Sequence, residues 1–203
     1  MNIAHLAQGN KMSRLQPVAG TEIVDDIRLG HTWGEYYVLE QFITDEQPDW
    51  FVEVGVHEGG LSYLLIPKYI IKNYVGIELD CGIIRPQVKL LYEQDWAKLI
   101  CADCFSDKVA DAIGELGGKK IIYCDGGNKA KELKHFWIMC NEGDIIMAHD
   151  YHDGIRIVPD VSTDYQPEVH PRDILHLAVN ESFERLSEHR FKETRIVGFR
   201  KIK

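Results

Sequence analysis

Apolar residues in this chain come in short continuous blocks separated by longer stretches of helical period. Five blocks stand out, at Phe51–Val56, Tyr74–Glu78, Lys98–Ala102, Lys120–Cys124 and Asp144–Ala148. Each is too short for a buried helix and is not alternating, which is the pattern of strands covered on both faces of a parallel sheet. Helical spacing fills the intervals, over Gly60–Ile71, Ile84–Asp95, Asp107–Leu116 and Lys129–Cys140. Ahead of the first strand, Thr32-Trp33-Gly34-Glu35 has the spacing of a capping box and starts a helix that runs to about Thr44. The order strand, helix, strand with right-handed crossovers predicts a doubly wound α/β sandwich, with ligands at the carboxyl ends of the strands.

The regularity stops after His149. Tyr151–His170 reads as a long loop, of a length that inside a compact domain is functional or disordered. Pro171 opens a short helix through about Val179, and Ser182–Glu188 with Arg195–Ile202 form a closing hairpin around His189–Thr194. Residues 1–30 have no clear period and are read as an arm or lid, leaving 31–203 as one domain. At 203 residues the chain has room for one sizeable core.

The net charge of −9 argues against a nucleic-acid backbone as partner. No apolar run approaches the roughly 20 residues of a membrane helix, and the N-terminus lacks the apolar core of a signal peptide. A soluble, cytoplasmic protein is expected. Its five cysteines, among them the Cys101-x-x-Cys104 pair, are expected to be reduced, since no second such pair completes a zinc site.

The chemistry gathers at strand ends. The first strand runs into Glu53-x-Gly55-x-x-x-Gly59-Gly60 and then a helix, a turn that leaves backbone N–H groups facing a ligand. It lacks the Gly-x-Gly-x-x-Gly spacing of a dinucleotide loop. Glu53 either orients that loop and a cofactor amino group or is satisfied by turn N–H groups. Glu78 ends the second strand, where a carboxylate accepts from the two hydroxyls of a ribose, with Asp80 as the rival. Asp103 ends the third and either accepts from an adenine amino group, near Cys104 and Phe105, or caps the following helix.

Asp125 and the pair His149-Asp150 end the fourth and fifth strands, so all open onto one rim. They either converge on a divalent cation that polarises a substrate hydroxyl or act as caps and loop carboxylates. His149 and His152 also raise a transition-metal site as an alternative. His57 shapes the loop or touches a cofactor carboxylate, and Asn128 caps the helix that follows it.

In this order the motifs resemble class I S-adenosylmethionine-dependent methyltransferases, in the group of macrocin- and rhamnosyl-type O-methyltransferases and cephalosporin hydroxylase-like proteins. The resemblance spans about residues 30–151. It is carried by the Glu53, Gly55 and Gly59 loop and by Asp125-Gly126 with His149-Asp150-Tyr151. It implies a mostly parallel, seven-stranded Rossmann-like sheet with a C-terminal antiparallel hairpin, and S-adenosylmethionine as cofactor. The cofactor would be held by Glu53, Gly55, Val56, His57, Gly59, Gly60, Glu78, Leu79, Asp103, Cys104 and Asp125.

It further implies a Mg2+ site at Asp125, His149 and Asp150, the residues expected to carry catalysis, and a small hydroxylated acceptor such as a sugar or natural product. A homo-oligomer is compatible with the sequence. The chain departs from that family's pattern where Asn128 stands in place of a frequent His, and an amide is no general base at neutral pH. Two other readings therefore stand beside O-methyl transfer: a cofactor-binding protein without catalysis, and a metal-dependent hydroxylase-like enzyme on the same scaffold.

Overall fold

The computed structural model describes residues 22–154 and 168–203. A small antiparallel ribbon, β1 (Ile23–Val24) and β2 (Ile27–Arg28), precedes helix α1 (Trp33–Glu46). There follow β3 (Trp50–Val54), α2 (Gly60–Leu65), β4 (Asn73–Glu78), α3 (Pro86–Leu91), β5 (Ala97–Cys101), α4 (Asp107–Gly114), β6 (Lys120–Cys124), α5 (Lys129–Phe136) and β7 (Ile145–Ala148). The chain closes with α6 (Leu175–Ala178), β8 (Phe183–Arg185), α7 (Glu188–Phe191) and β9 (Val197–Lys201).

The main sheet has seven strands in the order β5-β4-β3-β6-β7-β9-β8. β5 through β7 are mutually parallel, whereas β9 runs antiparallel to both β7 and β8. This is the predicted doubly wound sheet with its antiparallel closing hairpin. The apolar blocks are continuous because successive side chains enter different cores. Phe51, Tyr74, Ile121, Tyr123 and Met147 pack against α1 and α2 residues such as Leu39, Phe42 and Leu65. Val52, Val75, Ile122 and Ile146 pack on the opposite face with Val109, Leu133 and Phe136.

Several helices are shorter than their apolar period predicts, and prolines account for two of them. Pro67 follows α2, which continues only as a 3-10 turn over Ile66–Lys68, and Pro86 starts α3 rather than lying inside it. The α1 capping box forms as read: Thr32 Oγ1 accepts from the Glu35 N–H, and Glu35 accepts from the Thr32 N–H. The segment after Pro171 is turn until Leu175, because Asp173 bonds back to the His170 N–H. Most of the expected arm (1–21) and most of the long loop (155–167) lie outside the described residues.

One expectation is overturned here. Cys81 and Cys101 form a disulfide, leaving Cys104, Cys124 and Cys140 as thiols. Cys101 is the partner of Glu78 in the β4–β5 register, and Cys81 lies in the turn just after Glu78. The two Cα atoms are thus 5.8 Å apart, although 20 residues separate them in sequence. Attention to the local Cys101-x-x-Cys104 spacing misses this pair, because adjacent parallel strands create it. Among the described residues no helix is long and apolar enough to cross a membrane.

Candidate functional site

The chain winds from β3 outward to β5 and then crosses back to β6, so the direction of winding reverses between β3 and β6. Strand-end loops diverge at such a point and leave a crevice. A cavity of about 890 Å³ opens there, of the size of a small-molecule site. Glu53, Gly55, Val56, His57, Glu78, Leu79, Asp103, Cys104, Asp125, His149 and Asp150 all line it. Gly59 and Gly60, expected beside a ligand, do not.

The loop glycines answer to the protein itself. A Cβ on Gly55 would lie 2.5 Å from the Gly126 Cα, and its φ of +89° is unfavourable for any side chain. Gly55 therefore lets the β3 and β6 loops touch at the crevice. A Cβ on Gly60 would lie 2.2 Å from the Arg28 carbonyl oxygen, so this residue packs the α2 start under the N-terminal ribbon.

Glu53 is buried behind the loop, where its Oε2 accepts from Ser62 Oγ at 2.5 Å and from Tyr74 Oη at 2.7 Å. Its partners are hydroxyls, not the turn N–H groups of the alternative reading. Burial outweighs these hydrogen bonds and, with Asp125 and Glu78 nearby, pushes its pKa up to about 8.

At the end of β4, Glu78 Oε2 accepts from the His57 N–H at 2.8 Å and Oε1 from the Asp80 N–H at 3.0 Å. Its carboxylate is held by backbone, with lone pairs left for a diol. Its rival Asp80 is not on the cavity wall, and its Oδ1 accepts from the Gly82 N–H. Asp103 Oδ1 accepts from the Phe105 N–H at 2.9 Å, a turn ahead of α4 rather than a cap on it. Exposed Leu79, with Ile83, Cys104 and Phe105, gives this end of the cavity an apolar lining.

The opposite end is charged. His149 Nδ1 lies 3.2 Å from Asp125 Oδ1 and 3.5 Å from Asp150 Oδ1, and its Nε2 lies 3.4 Å from Glu35 Oε2. Burial opposes charge on this ring, but the three carboxylates prevail and raise its pKa to about 9. The His31 ring stacks on it at 4.2 Å. Burial and the neighbouring His149 hold His31 below its usual pKa, against the pull of Asp125 and Glu35. Burial also disfavours the Asp125 carboxylate, yet His149, His31 and Lys129 keep it below the usual carboxylate range.

Asp150 has a left-handed backbone, φ 59°, and its carboxylate faces two cations. Its oxygens lie 3.0 Å from Lys129 Nζ and 3.1 Å from Arg195 Nη1. Lys129 Nζ also meets Glu168 Oε2 at 3.0 Å and donates to the Gly126 carbonyl at 2.9 Å. Among the described residues, His31, Asp125 and His149 present ligand atoms within 4.8 Å of one another, donor types that suit a divalent cation. His152 donates no ring to this group, and its Nδ1 accepts from the Gly154 N–H.

Four residues of this cluster are absent from the sequence reading as site residues: His31, Glu35, Lys129 and Arg195. Glu35 was visible only as half of a capping box, although it also binds the guanidinium of Arg195 at the far end of the chain. Lys129 sits next to Asn128, whose Oδ1 accepts from the Lys131 N–H and caps α5 as expected. Glu132, one turn into α5, accepts from the Gly126 and Asn128 N–H groups and so fixes the loop that carries Asp125.

No protein-family model matches the sequence, and no curated protein matches it. Solved structures share the fold. CmcI with Mg-SAM superposes at a TM-score of 0.65 with 15% identity, over 100% of this chain and 85% of CmcI. TomG, an O-methyltransferase from Streptomyces achromogenes involved in tomaymycin synthesis and crystallised with SAM, gives 0.58 with 10% identity, covering 86% of this chain and 82% of TomG. A methyltransferase from Geobacter sulfurreducens gives 0.55 with 15% identity, covering 83% and 80%. The chain therefore has the Rossmann-like fold found in these methyltransferases.

Proposed function

We propose that this protein transfers a methyl group from S-adenosylmethionine to a hydroxyl of a small molecule. One observation carries the reading: the cavity at the switch point is chemically divided. Its glycine-loop end holds a backbone-pinned Glu78 and an apolar flank, which suit a ribose and an adenine. Its other end sets Asp125, His149, Asp150, Lys129 and Arg195 around the place where an acceptor would meet the methyl group. The similarity in fold to TomG and CmcI, which were crystallised with SAM and Mg-SAM, supports the same cofactor here.

Methyl transfer forms a carbon–oxygen bond as the carbon–sulfur bond breaks, the sulfonium becomes a thioether, and the hydroxyl loses its proton. The protein's part is to align the two partners and exclude water, and well-oriented reactants can gain on the order of 7–11 kcal/mol that way. Asp125, held ionised by its cationic neighbours, accepts a hydrogen bond from the acceptor hydroxyl and orients it, and the proton passes to solvent once the carbon–oxygen bond has formed. Asn128 lines the cavity, with its Oδ1 committed to the α5 cap. Lys129 and Arg195 keep Asp150 in place at the rim. A divalent cation held at Asp125 and His149 would add Lewis-acid polarisation of the hydroxyl.

Calorimetry with S-adenosylhomocysteine and a labelled-methyl assay on a panel of sugars and phenols test the reading. Binding with turnover on a hydroxylated acceptor is expected. Failure to bind the thioether product would refute it, whereas binding without turnover on any acceptor would leave a cofactor-binding protein of the same fold.

A further inference from the structure

Magnesium takes oxygen ligands and keeps several waters, whereas imidazole nitrogens suit zinc, cobalt, iron and nickel. The donor set at the charged end of the cavity is not an oxygen set. Of its two rim carboxylates, Asp150 lies 3.0 Å from Lys129 and 3.1 Å from Arg195, whereas Asp125 is 3.7 Å from Lys129 and faces both histidines. What remains within reach of one point is His31, Asp125 and His149. We infer that these three residues form a two-histidine, one-carboxylate centre for an imidazole-binding first-row divalent ion, with His31 as its unrecognised third ligand.

The surroundings of the two rings support this. A metal-bound histidine needs its other ring nitrogen held by an acceptor, which fixes tautomer and orientation. His31 Nδ1 lies 3.0 Å from the Leu29 carbonyl, an acceptor only, so the proton sits there and Nε2 carries the lone pair. That Nε2 faces Asp125 Oδ2 at 3.5 Å. His149 presents Nδ1 to Asp125 and its far Nε2 to the Glu35 carboxylate. Glu35 is itself fixed by Arg195 and by the Thr32 N–H. His31 is thus oriented from behind by an acceptor, whereas the far nitrogen of His149 makes no hydrogen bond among the described residues and has the Glu35 carboxylate 3.4 Å away. The other nitrogen of each ring is turned to Asp125.

The remaining partner of His31 fits as well. Tyr123 Oη lies 2.7 Å from Nε2 and is the group an incoming metal would displace from that lone pair. Asp125 and His149 line the cavity, so the open coordination positions face the acceptor. Only the centre's role rests on the methyltransferase reading; its existence does not.

The test titrates the full-length wild-type protein with Co2+, Zn2+, Mn2+ and Mg2+ by calorimetry and follows Co2+ by its visible absorption bands. One equivalent of Co2+ is expected, with d–d bands and an affinity at least 100-fold above that for Mg2+, on the order of the preference imidazole gives. His31→Ala abolishes the bands, Glu35→Gln weakens Co2+ binding roughly 10–100-fold, and Asp150→Asn leaves the bands in place. Circular dichroism and S-adenosylhomocysteine binding are measured on each variant, so lost folding or a failed cofactor reading is told apart from lost metal. Absence of Co2+ bands in the wild type, Mg2+ binding as tightly as Co2+, or bands that survive His31→Ala and vanish in Asp150→Asn would each overturn the inference.

Discussion

Glu35 and Arg195 meet inside the protein although 160 residues separate them: Arg195 Nε donates to Oε1 at 2.8 Å and Nη2 to Oε2 at 2.7 Å. The two parallel bonds match the guanidinium fork to the carboxylate. The pair ties the start of α1 to the residues leading into β9; Arg195 lines the cavity and Glu35 lies buried behind it. Glu35 faces His149, and Arg195 faces Asp150.

Breaking this pair from one side leaves a buried charge without its partner, which costs about 3–5 kcal/mol. Arg195→Met is therefore expected to lower unfolding stability by that amount in urea titrations. The double variant Arg195→Met, Glu35→Gln recovers part of the loss, since neither charge is then stranded. A single variant as stable as the wild type would show that the pair is solvated in solution.

Gly55→Ala adds a methyl group where the Gly126 backbone already sits, at a φ that disfavours L side chains. Strain and overpacking of about 1–3 kcal/mol each are expected. Because the clash lies between the loops that form the crevice, affinity for S-adenosylhomocysteine falls along with the melting temperature. Calorimetry and a thermal melt on the same preparation check both.

Glu78→Ala removes an acceptor that holds two backbone N–H groups and faces the cavity. Hydrogen bonds to a charged group contribute about 1.5–3 kcal/mol each, so S-adenosylhomocysteine should bind at least roughly tenfold more weakly. Asp80→Ala, which removes a carboxylate used by its own turn, leaves the affinity unchanged. Equal losses in both variants would refute the assignment of Glu78 to the ribose.

Glu53 makes stability depend on pH. Its carboxyl titrates near 4.5 when unfolded and near 8 in the fold, because burial disfavours the anion. Between those values the native state binds the extra proton, so stability falls as pH rises, by at most about 1.4 kcal/mol per pH unit. The stability is fully retained below the unfolded value, and the loss is complete above about 8. Glu53→Gln removes this slope, which urea titrations at a series of pH values between 5 and about 8 will show.

The Cys81–Cys101 bridge predicts a thiol count. Of five cysteines, three should react with a thiol reagent in denaturant without reductant, and all five after reduction. Closing a loop of this size stabilises by about 2–4 kcal/mol, so Cys101→Ser is expected to lower the urea midpoint accordingly. Five reactive thiols in the unreduced protein would refute the bridge.

Short-range information was enough for the sheet. Continuous apolar blocks, each a strand long and separated by helical period, imply β3 to β7 and their parallel pairing, because a strand covered on both faces needs apolar residues at every position. Strand ends then place Glu53, Glu78, Asp103, Asp125, His149 and Asp150 on one rim, since parallel strands share a direction. The capping box at Thr32 and the cap at Asn128 were legible because each uses residues three apart.

Tertiary structure decided what those residues touch. His31 and Arg195 lie far in sequence from the carboxyl ends of β3 to β7 and carry no local signal; they become site residues only when the chain around α1 and β9 packs against β7. Lys129 was legible as a helix start, but its ammonium is defined by Asp150 and Glu168, which come from distant loops. The disulfide arises from a strand register, and Gly55 and Gly60 of the β3–α2 loop from the close approach of the Gly126 and Arg28 backbones, distant in sequence. Periodicity records the environment of one residue at a time, so it fixes the fold. The chemistry depends on pairs, and only the folded chain brings them together.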